Sequence, residues 1–233
     1  MYSIYFMKIE THGKLTFYWS GFWTPRMQDK YKTTRFGLIR HAQTVWNREK
    51  RIQGQSDSPL TADGESQATR WGELLKQFPW DRILASDTGR TLATAEKINA
   101  YLKIPLTTDS RLREQDWGQW VGKTVQQIES EAPQMLTAQV RSGWDFCPPG
   151  GESRKSVLKR SQIALIEAAG RYRGDNLLVV THEGVIKSLI YHLCGRKFLP
   201  GEPAILKAYQ LHWLIHHSNE LKLEEVNAQR LGS

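Results

Sequence analysis

Arg40-His41, Ser86-Asp87 with Arg90 close behind, and Thr181-His182 each follow a short apolar run that reads as a β-strand. In an open α/β sheet, ligands bind at the carboxyl ends of parallel strands, so such residues can converge despite their separation in sequence. Glu114 joins them from a loop. The set holds a nucleophile, cations for phosphoryl oxygens and an acid for a leaving group, which is what phosphoryl transfer to a side chain requires. Taken singly, each residue has a plainer reading. His41 alone reads better as a satisfied histidine at a strand end, and His182 alone as a structural one. Arg90 alone reads as a solvated residue in the first turn of a helix. That placement opposes the helix dipole, which adds weight to an anion-binding role.

The elements that must position these groups follow from periodicity. Residues 36–39 and 82–85 form short strands, and 176–181 is the most apolar strand in the chain. Thr61 caps a helix over 62–78, with Leu74, Leu75 and Phe78 at the spacing of a buried face. A helix ending near Leu102 carries the stripe Leu92, Ala95, Ile98, Leu102. A helical stretch over 124–138 is broken by Pro133, and the 148–151 loop precedes a helix over 153–169. A further helix over 185–194 closes at Gly195. The tail, 204–226, reads as two strands around the turn 217–220. Strand and helix alternate from Arg35 onward, the pattern of an α/β domain with a largely parallel core. Residues 1–33 form an N-terminal extension, and 34–233 form the domain. Within the extension, residues 2–10 and 15–19 are β-prone runs around a turn, which reads as an extra hairpin or as an overlong start ahead of Met27.

Composition narrows the function classes. The chain has 233 residues, 39% hydrophobic and 24% charged, with no sign of disorder. The formal charge of +8 is spread along the chain without a dense basic run, so it suits a phosphorylated substrate better than nucleic acid. Cys147 and Cys194 lie far apart and in no metal-ligand spacing, which favours a reduced cytoplasmic protein without a disulfide framework or zinc site. No apolar run of about 18 residues exists, and no membrane association is expected. The oligomeric state is left open, a homodimer included.

The motifs then add specificity. Leu38-Ile-Arg-His-Ala-Gln-Thr-Val-Trp-Asn47 resembles the signature of the histidine phosphatase superfamily, the phosphoglycerate-mutase-like fold. The residues from Arg51 to Thr61, the 86–95 segment, the 110–122 loop, Gly150-Gly-Glu-Ser153 and Val179-Val-Thr-His-Glu-Gly184 resemble its later motifs in the same order. The resemblance implies a three-layer α/β/α sandwich with a mostly parallel central sheet. It implies His41 as nucleophile, Glu114 as the acid and then the base, and Arg40, Arg90, His182 and Asn47 as holders of the phosphoryl oxygens. Gln53 and the Gly54 backbone are further implied substrate contacts. No metal or other cofactor is implied, in keeping with the lack of a carboxylate cluster in the sequence.

Other residues receive weaker assignments. Glu152, Glu183 and Asp116 compete with Glu114 for the acid role. Arg48, Arg51, Arg111 and Arg113 read as solvated or substrate-rim charges. Trp117 and Trp120 read equally as a substrate wall or as packing under the loop. His212, His216 and His217 are expected at surface or edge positions.

Three residues depart from the family pattern. Ala42 and Glu183 stand at frequent glycine positions, and Val121 at a frequent glutamate. Ala42 is tolerable if its φ is negative. Glu183 is expected to point outward; facing the pocket, it would oppose phosphate and raise the pKa of His182. Gln115 follows Glu114 where mutases usually carry arginine, and no Arg-Arg pair appears between Gly122 and Gly150. A mutase must grip a second anionic group, so these absences favour hydrolysis. The expected activity is a metal-independent phosphatase acting on small phosphomonoesters through a phosphohistidine. A phosphoglycerate mutase is the enzymatic alternative, and a non-catalytic phospholigand-binding protein is the third.

Overall fold

Asn176–Thr181 (β6) carries four consecutive apolar side chains, and a strand of that pattern must be covered on both faces. It is. Leu177 and Val179 enter one buried cluster with Leu165 and Ala168 of Arg154–Arg171 (α6) and Leu189 and Ile190 of Glu183–Leu193 (α7). Leu178 and Val180 enter a second cluster with Ala68, Trp71 and Leu75 of Ala62–Leu75 (α2) and Ala95 and Ile98 of Gly89–Leu102 (α3). The result is the expected α/β/α sandwich. Each large apolar side chain so buried contributes about 1.5–3 kcal/mol.

The computed structural model describes residues 32–232 and, ahead of them, a short antiparallel pairing of Glu10–Thr11 (β1) with Lys14–Leu15 (β2). That pairing falls at the expected turn. The remainder of the expected hairpin lies outside the described residues. The central sheet runs in the order Leu106–Thr108 (β5), Arg82–Ala85 (β4), β6, Thr34–Arg40 (β3), Gln210–His217 (β7) and Glu220–Arg230 (β8). From β5 to β3 the neighbours are parallel; β7 pairs antiparallel with both β3 and β8. The β7–β8 hairpin turns on Ser218 and Asn219, whose φ values of 52° and 66° suit a two-residue turn matched to strand twist. Among the described residues no helix is long and apolar enough to cross a membrane.

Local chemistry sets the boundaries. Thr61 and Ser153 cap α2 and α6 by accepting from the backbone N–H of Gly64 and Ser156. Thr124 and Gln127 form a reciprocal capping box on Val125–Glu131 (α4). Pro133 does more than break a helix: it starts a second one, Pro133–Arg141 (α5), at the position where a missing N–H costs nothing. Trp120, Ile128 and Phe146 form a separate small cluster beneath the 117–149 segment.

Three expectations change. The α2 helix stops at Leu75, and Leu74 is 38% exposed because the buried stripe runs through Ala68, Trp71 and Leu75. Phe78 lies past the helix, against Trp80 and Trp213. On α3 the buried stripe is more polar than expected, with Arg90, Thr91 and Thr94 beside Ala95 and Ile98. His212 is buried rather than at the surface, because β7 is an interior strand. Its Nδ1 accepts from the Asn227 N–H at 3.1 Å, and burial pushes its pKa down to about 4.

Gly37 on β3 has no room for a side chain: a Cβ there would lie 2.2 Å from the Trp80 ring, itself stacked on Trp213. Gly37→Ala is expected to destabilise the protein by about 1–3 kcal/mol through overpacking. Urea denaturation reads this as a lower midpoint, and an unchanged midpoint would contradict the packing described.

Candidate active site

Parallel strands β3, β4 and β6 end on the same side of the sheet, and the ladder continues one residue beyond them. The His41 N–H donates to the Thr181 carbonyl, and the Ser86 N–H to the Val180 carbonyl, each at 2.9 Å. These bonds bring His41, Ser86 and His182 together at the sheet's carboxyl edge.

His41 is buried, with Nδ1 2.8 Å from the Ala42 carbonyl oxygen. A carbonyl only accepts, so Nδ1 carries the proton, and a neutral ring then keeps its lone pair on Nε2. Burial holds the His41 pKa well below 6.5, and the charges of Arg40 and Arg90 push it further down. The Ala42 bond pulls the other way. Ala42 itself has a negative φ, its methyl is buried in the core, and its N–H donates to Thr94 Oγ1.

His182 lies edge-on to His41 with ring centroids 5.3 Å apart. Its Nδ1 stands 3.2 Å from an Arg90 Nη2, which can only donate, and its Nε2 stands 2.9 Å from Ser86 Oγ. The neutral ring therefore carries its proton on Nε2. Its pKa is also held well below 6.5, first by burial and then by Arg90, His41 and Arg40.

Arg90 has a fully buried side chain and spends four of its five N–H groups inside the protein. Nη1 bonds the Ser56 carbonyl and Asp57; Nη2 bonds the Gly54 carbonyl and His182. Its Nε–H alone has no partner. A buried donor left unmade costs about 1–3 kcal/mol, and an anion in the cavity that Arg90 lines can satisfy it. Asp57 also accepts from the Gly89 and Arg90 backbone N–H groups. That carboxylate offsets the helix-dipole penalty of an arginine in the first turn of α3.

Asn47 sits in Val45–Arg48 (α1), where a capping box with Thr44 commits its Oδ1 to the Thr44 N–H. Its amide NH₂ is thereby left to face the cavity it lines. Gly54 has a φ of 52°, and a Cβ would crowd Trp117 and Val121.

Glu114 accepts from its neighbour Gln115 N–H at 2.8 Å and from the Gly184 N–H at 3.1 Å. Burial raises its pKa; these two bonds, and Arg40 and Arg90, oppose that rise. Gly184 is needed there, since a Cβ would lie 2.2 Å from the carboxylate. The loop is clasped by Arg160, which bonds the carbonyls of Arg111, Arg113 and Glu114 and pairs with both oxygens of Glu152. Glu152 is thus committed to Arg160 rather than presented as an acid.

A cavity of about 290 Å³ is lined by Arg40, His41, Asn47, Gln53, Gly54, Arg90 and Glu114. Of the residues predicted for the site, only His182 stays out of that lining. Its contact is with the Arg90 guanidinium. Trp117 forms part of the cavity wall, whereas Trp120 is packed beneath the loop. Arg113 forks onto Asp87, and Arg111 pairs with Asp109 and Glu167, so neither is a free rim charge. Sequence reasoning missed Ser86 as the His182 partner, Asp57, Arg160, and the cavity-lining Arg154 and Lys187. Asp57 and Ser86 stand inside the 51–61 and 86–95 motifs, which signal their presence but not their partners; Arg154, Arg160 and Lys187 follow no local motif, and tertiary folding alone brings them in. Among the described residues no group of three or more His, Cys, Asp or Glu is placed to hold a metal ion.

Glu183, expected to point outward, has a side chain that is 60% exposed but stands at the rim of the cavity. Its carboxylate lines the cavity and pairs with Arg40 at 2.5 Å. The adjacent guanidinium is the reason, because the first residue of α7 can reach the last residue of β3.

The chain is an enzyme of the histidine phosphatase superfamily (branch 1), to which it belongs by the match of that family's model to residues 36–229. It is 39% identical over 158 residues to a probable phosphoglycerate mutase, GpmB, of Salmonella choleraesuis (strain SC-B67), covering 68% of this chain and 74% of that protein. In structure it is similar to YhfR of Bacillus stearothermophilus (TM-score 0.78, 30% identity, 85% of this chain and 98% of that one). It is also similar to the mycobacterial glucosyl-3-phosphoglycerate phosphatase in complex with VO3 (TM-score 0.74, 30% identity, 84% and 99%).

The Arg40–Glu183 pair predicts competition between carboxylate and phosphate for one guanidinium. Glu183→Gln is expected to tighten inorganic phosphate binding about fivefold, or ~1 kcal/mol. Calorimetric titration measures this, and unchanged or weaker binding would show that Glu183 does not oppose the anion.

Proposed function

We propose that this enzyme hydrolyses small phosphomonoesters through a phosphohistidine at His41, without a metal. The observation that carries the reading is the His41 ring. It is buried beside two arginines, with Nδ1 committed to the Ala42 carbonyl, so Nε2 keeps its lone pair.

In the first step Nε2 attacks phosphorus and the bond to the leaving oxygen breaks. The carboxyl proton of Glu114 passes to that oxygen, which departs as an alcohol. Glu114, now a carboxylate, takes a proton from water as the water oxygen attacks phosphorus. The N–P bond breaks and inorganic phosphate leaves. Arg40, the unpartnered Arg90 Nε–H and the Asn47 amide hold the phosphoryl oxygens; Gln53 and Gly54 complete the wall. His182 acts through Arg90 as a positioning residue. The non-catalytic alternative draws on Ala42, Glu183 and the aromatic N-terminal segment, most of which lies outside the described residues. Ala42 keeps a negative φ, and Glu183 is not among the groups that shift His41.

The partner is then a small phosphorylated metabolite rather than nucleic acid. The free thiols of Cys147 and Cys194 suit a reducing, cytoplasmic setting. The likeness to a probable phosphoglycerate mutase supports a second reading, phosphoryl transfer between positions of phosphoglycerate. Incubation with 3-phosphoglycerate and a bisphosphoglycerate primer separates the two. Hydrolysis gives free phosphate faster than the 2-isomer, and a mutase gives the reverse.

His41→Ala is expected to abolish metal-independent phosphate release from an aryl phosphate; normal turnover would overturn the mechanism. The pH dependence follows from the two shifted groups. Neutral His41 is present above its lowered pKa, and protonated Glu114 is present below its raised one. For an alkyl phosphate, kcat/KM therefore rises through a pH well under 6.5 and falls as Glu114 ionises. Glu114→Gln is expected to lower kcat by roughly 10²–10⁴ and to remove the alkaline fall. An unchanged profile would assign the acid elsewhere.

A further inference from the structure

Five cations line the cavity, and they divide into two groups. Arg40, Arg51 and Arg90 have carboxylate partners in Glu183, Glu49 and Asp57. Arg154 and Lys187 form no ion pair with any described residue. Arg154, the first residue of α6, lies between the Phe146 and Phe198 rings, its guanidinium carbon 4.2 and 4.5 Å from their centroids. Its guanidinium donates from Nη1 to the Gly143 carbonyl at 2.9 Å. Lys187 on α7 lies over the same Phe198 ring and over Tyr191, at 5.5 and 5.2 Å.

Two positive charges so placed repel each other and are partly stripped of water, a cost that an anion between them relieves. Burial lowers the pKa of Arg154 to about 10; burial together with Arg154 lowers that of Lys187, with the charge of Glu183 opposing the fall. Lys187 lies one helical turn beyond Gly184, whose N–H holds Glu114. The pair lines the same cavity as His41 and Glu114, so a leaving group held there can reach it.

We infer that Arg154 and Lys187, with Phe198 as their floor, form a second anion subsite that selects phosphomonoesters whose leaving group carries its own carboxylate or phosphate. This deepens the proposed phosphatase reading and rests on it. A grip on a second anion, expected to be missing for want of an Arg-Arg pair before Gly150, is thus supplied from two helices instead.

Matched compounds test it. The carboxylate arm compares 3-phosphoglycerate with glycerol 3-phosphate, and the phosphate arm compares 1,3-propanediol bisphosphate with its monophosphate. Each pair is measured as a kcat/KM ratio by phosphate release and as a Kd ratio by calorimetry. The wild-type ratio is expected to favour the doubly anionic member of at least one pair by tenfold or more. That preference is expected to fall about tenfold in Lys187→Gln and in Arg154→Met. Lys187→Gln keeps the test decisive if loss of Arg154 from between its two rings prevents folding. The arm that responds identifies the group recognised. No wild-type preference in either pair, or a preference that survives Lys187→Gln, would overturn the subsite. Absence of turnover with every ester would refute the phosphatase reading instead, and the calorimetric ratios would still decide the subsite.

Discussion

For His41 to act as the proposed nucleophile among arginines, two demands must be met: cations have to gather an anion, and the ring must keep its lone pair. Burial and a fixed tautomer meet both. The Nδ1 bond to the Ala42 carbonyl leaves Nε2 unprotonated, and desolvation with Arg40 and Arg90 nearby disfavours a second proton. Much of the surrounding structure serves to hold these cations in place. Arg90 is held by two carbonyls, Asp57 and His182, which leaves a single N–H for a ligand. His182 is in turn fixed by Ser86, so one strand end supports the side chains of another.

The proposed acid is governed by the same balance. Glu114 is buried enough to favour its protonated form, yet two backbone N–H groups and two arginines stabilise its ionised form. A group that must both give and take a proton benefits from such opposing influences. Its position depends on Arg160, whose guanidinium collects three carbonyls of the loop and the Glu152 carboxylate. Glu183 adds a feature at the mouth of the cavity, a carboxylate that shares Arg40 with whatever anion enters.

The sheet was legible because its strands are short, apolar and bounded by polar residues. β4 and β6 fall on the expected residues, and the order of motifs anticipated which strand ends would meet. What remained hidden depends on direction and distance in space. Leu74 and Trp71 differ by three positions, and only packing decides which faces the sheet. His212 looked like a tail histidine until β7 proved to be an interior strand. Glu183 stays largely exposed, but its pairing with Arg40 at the end of the neighbouring strand could not be read from sequence. Arg160 and Lys187 resemble ordinary helix-surface cations in sequence, and only folding sets one against the 111–114 loop and the other in the cavity wall.

The central claim is that His41 is a neutral ring with its proton on Nδ1 and its lone pair on Nε2. Nitrogen-15 NMR of the histidine side chains between pH 5 and 8 tests this directly. The account predicts a His41 ring with a protonated Nδ1 and an unprotonated Nε2, with no titration near pH 6.5. A His41 signal that titrates near that value, or that shows the proton on Nε2, would contradict it.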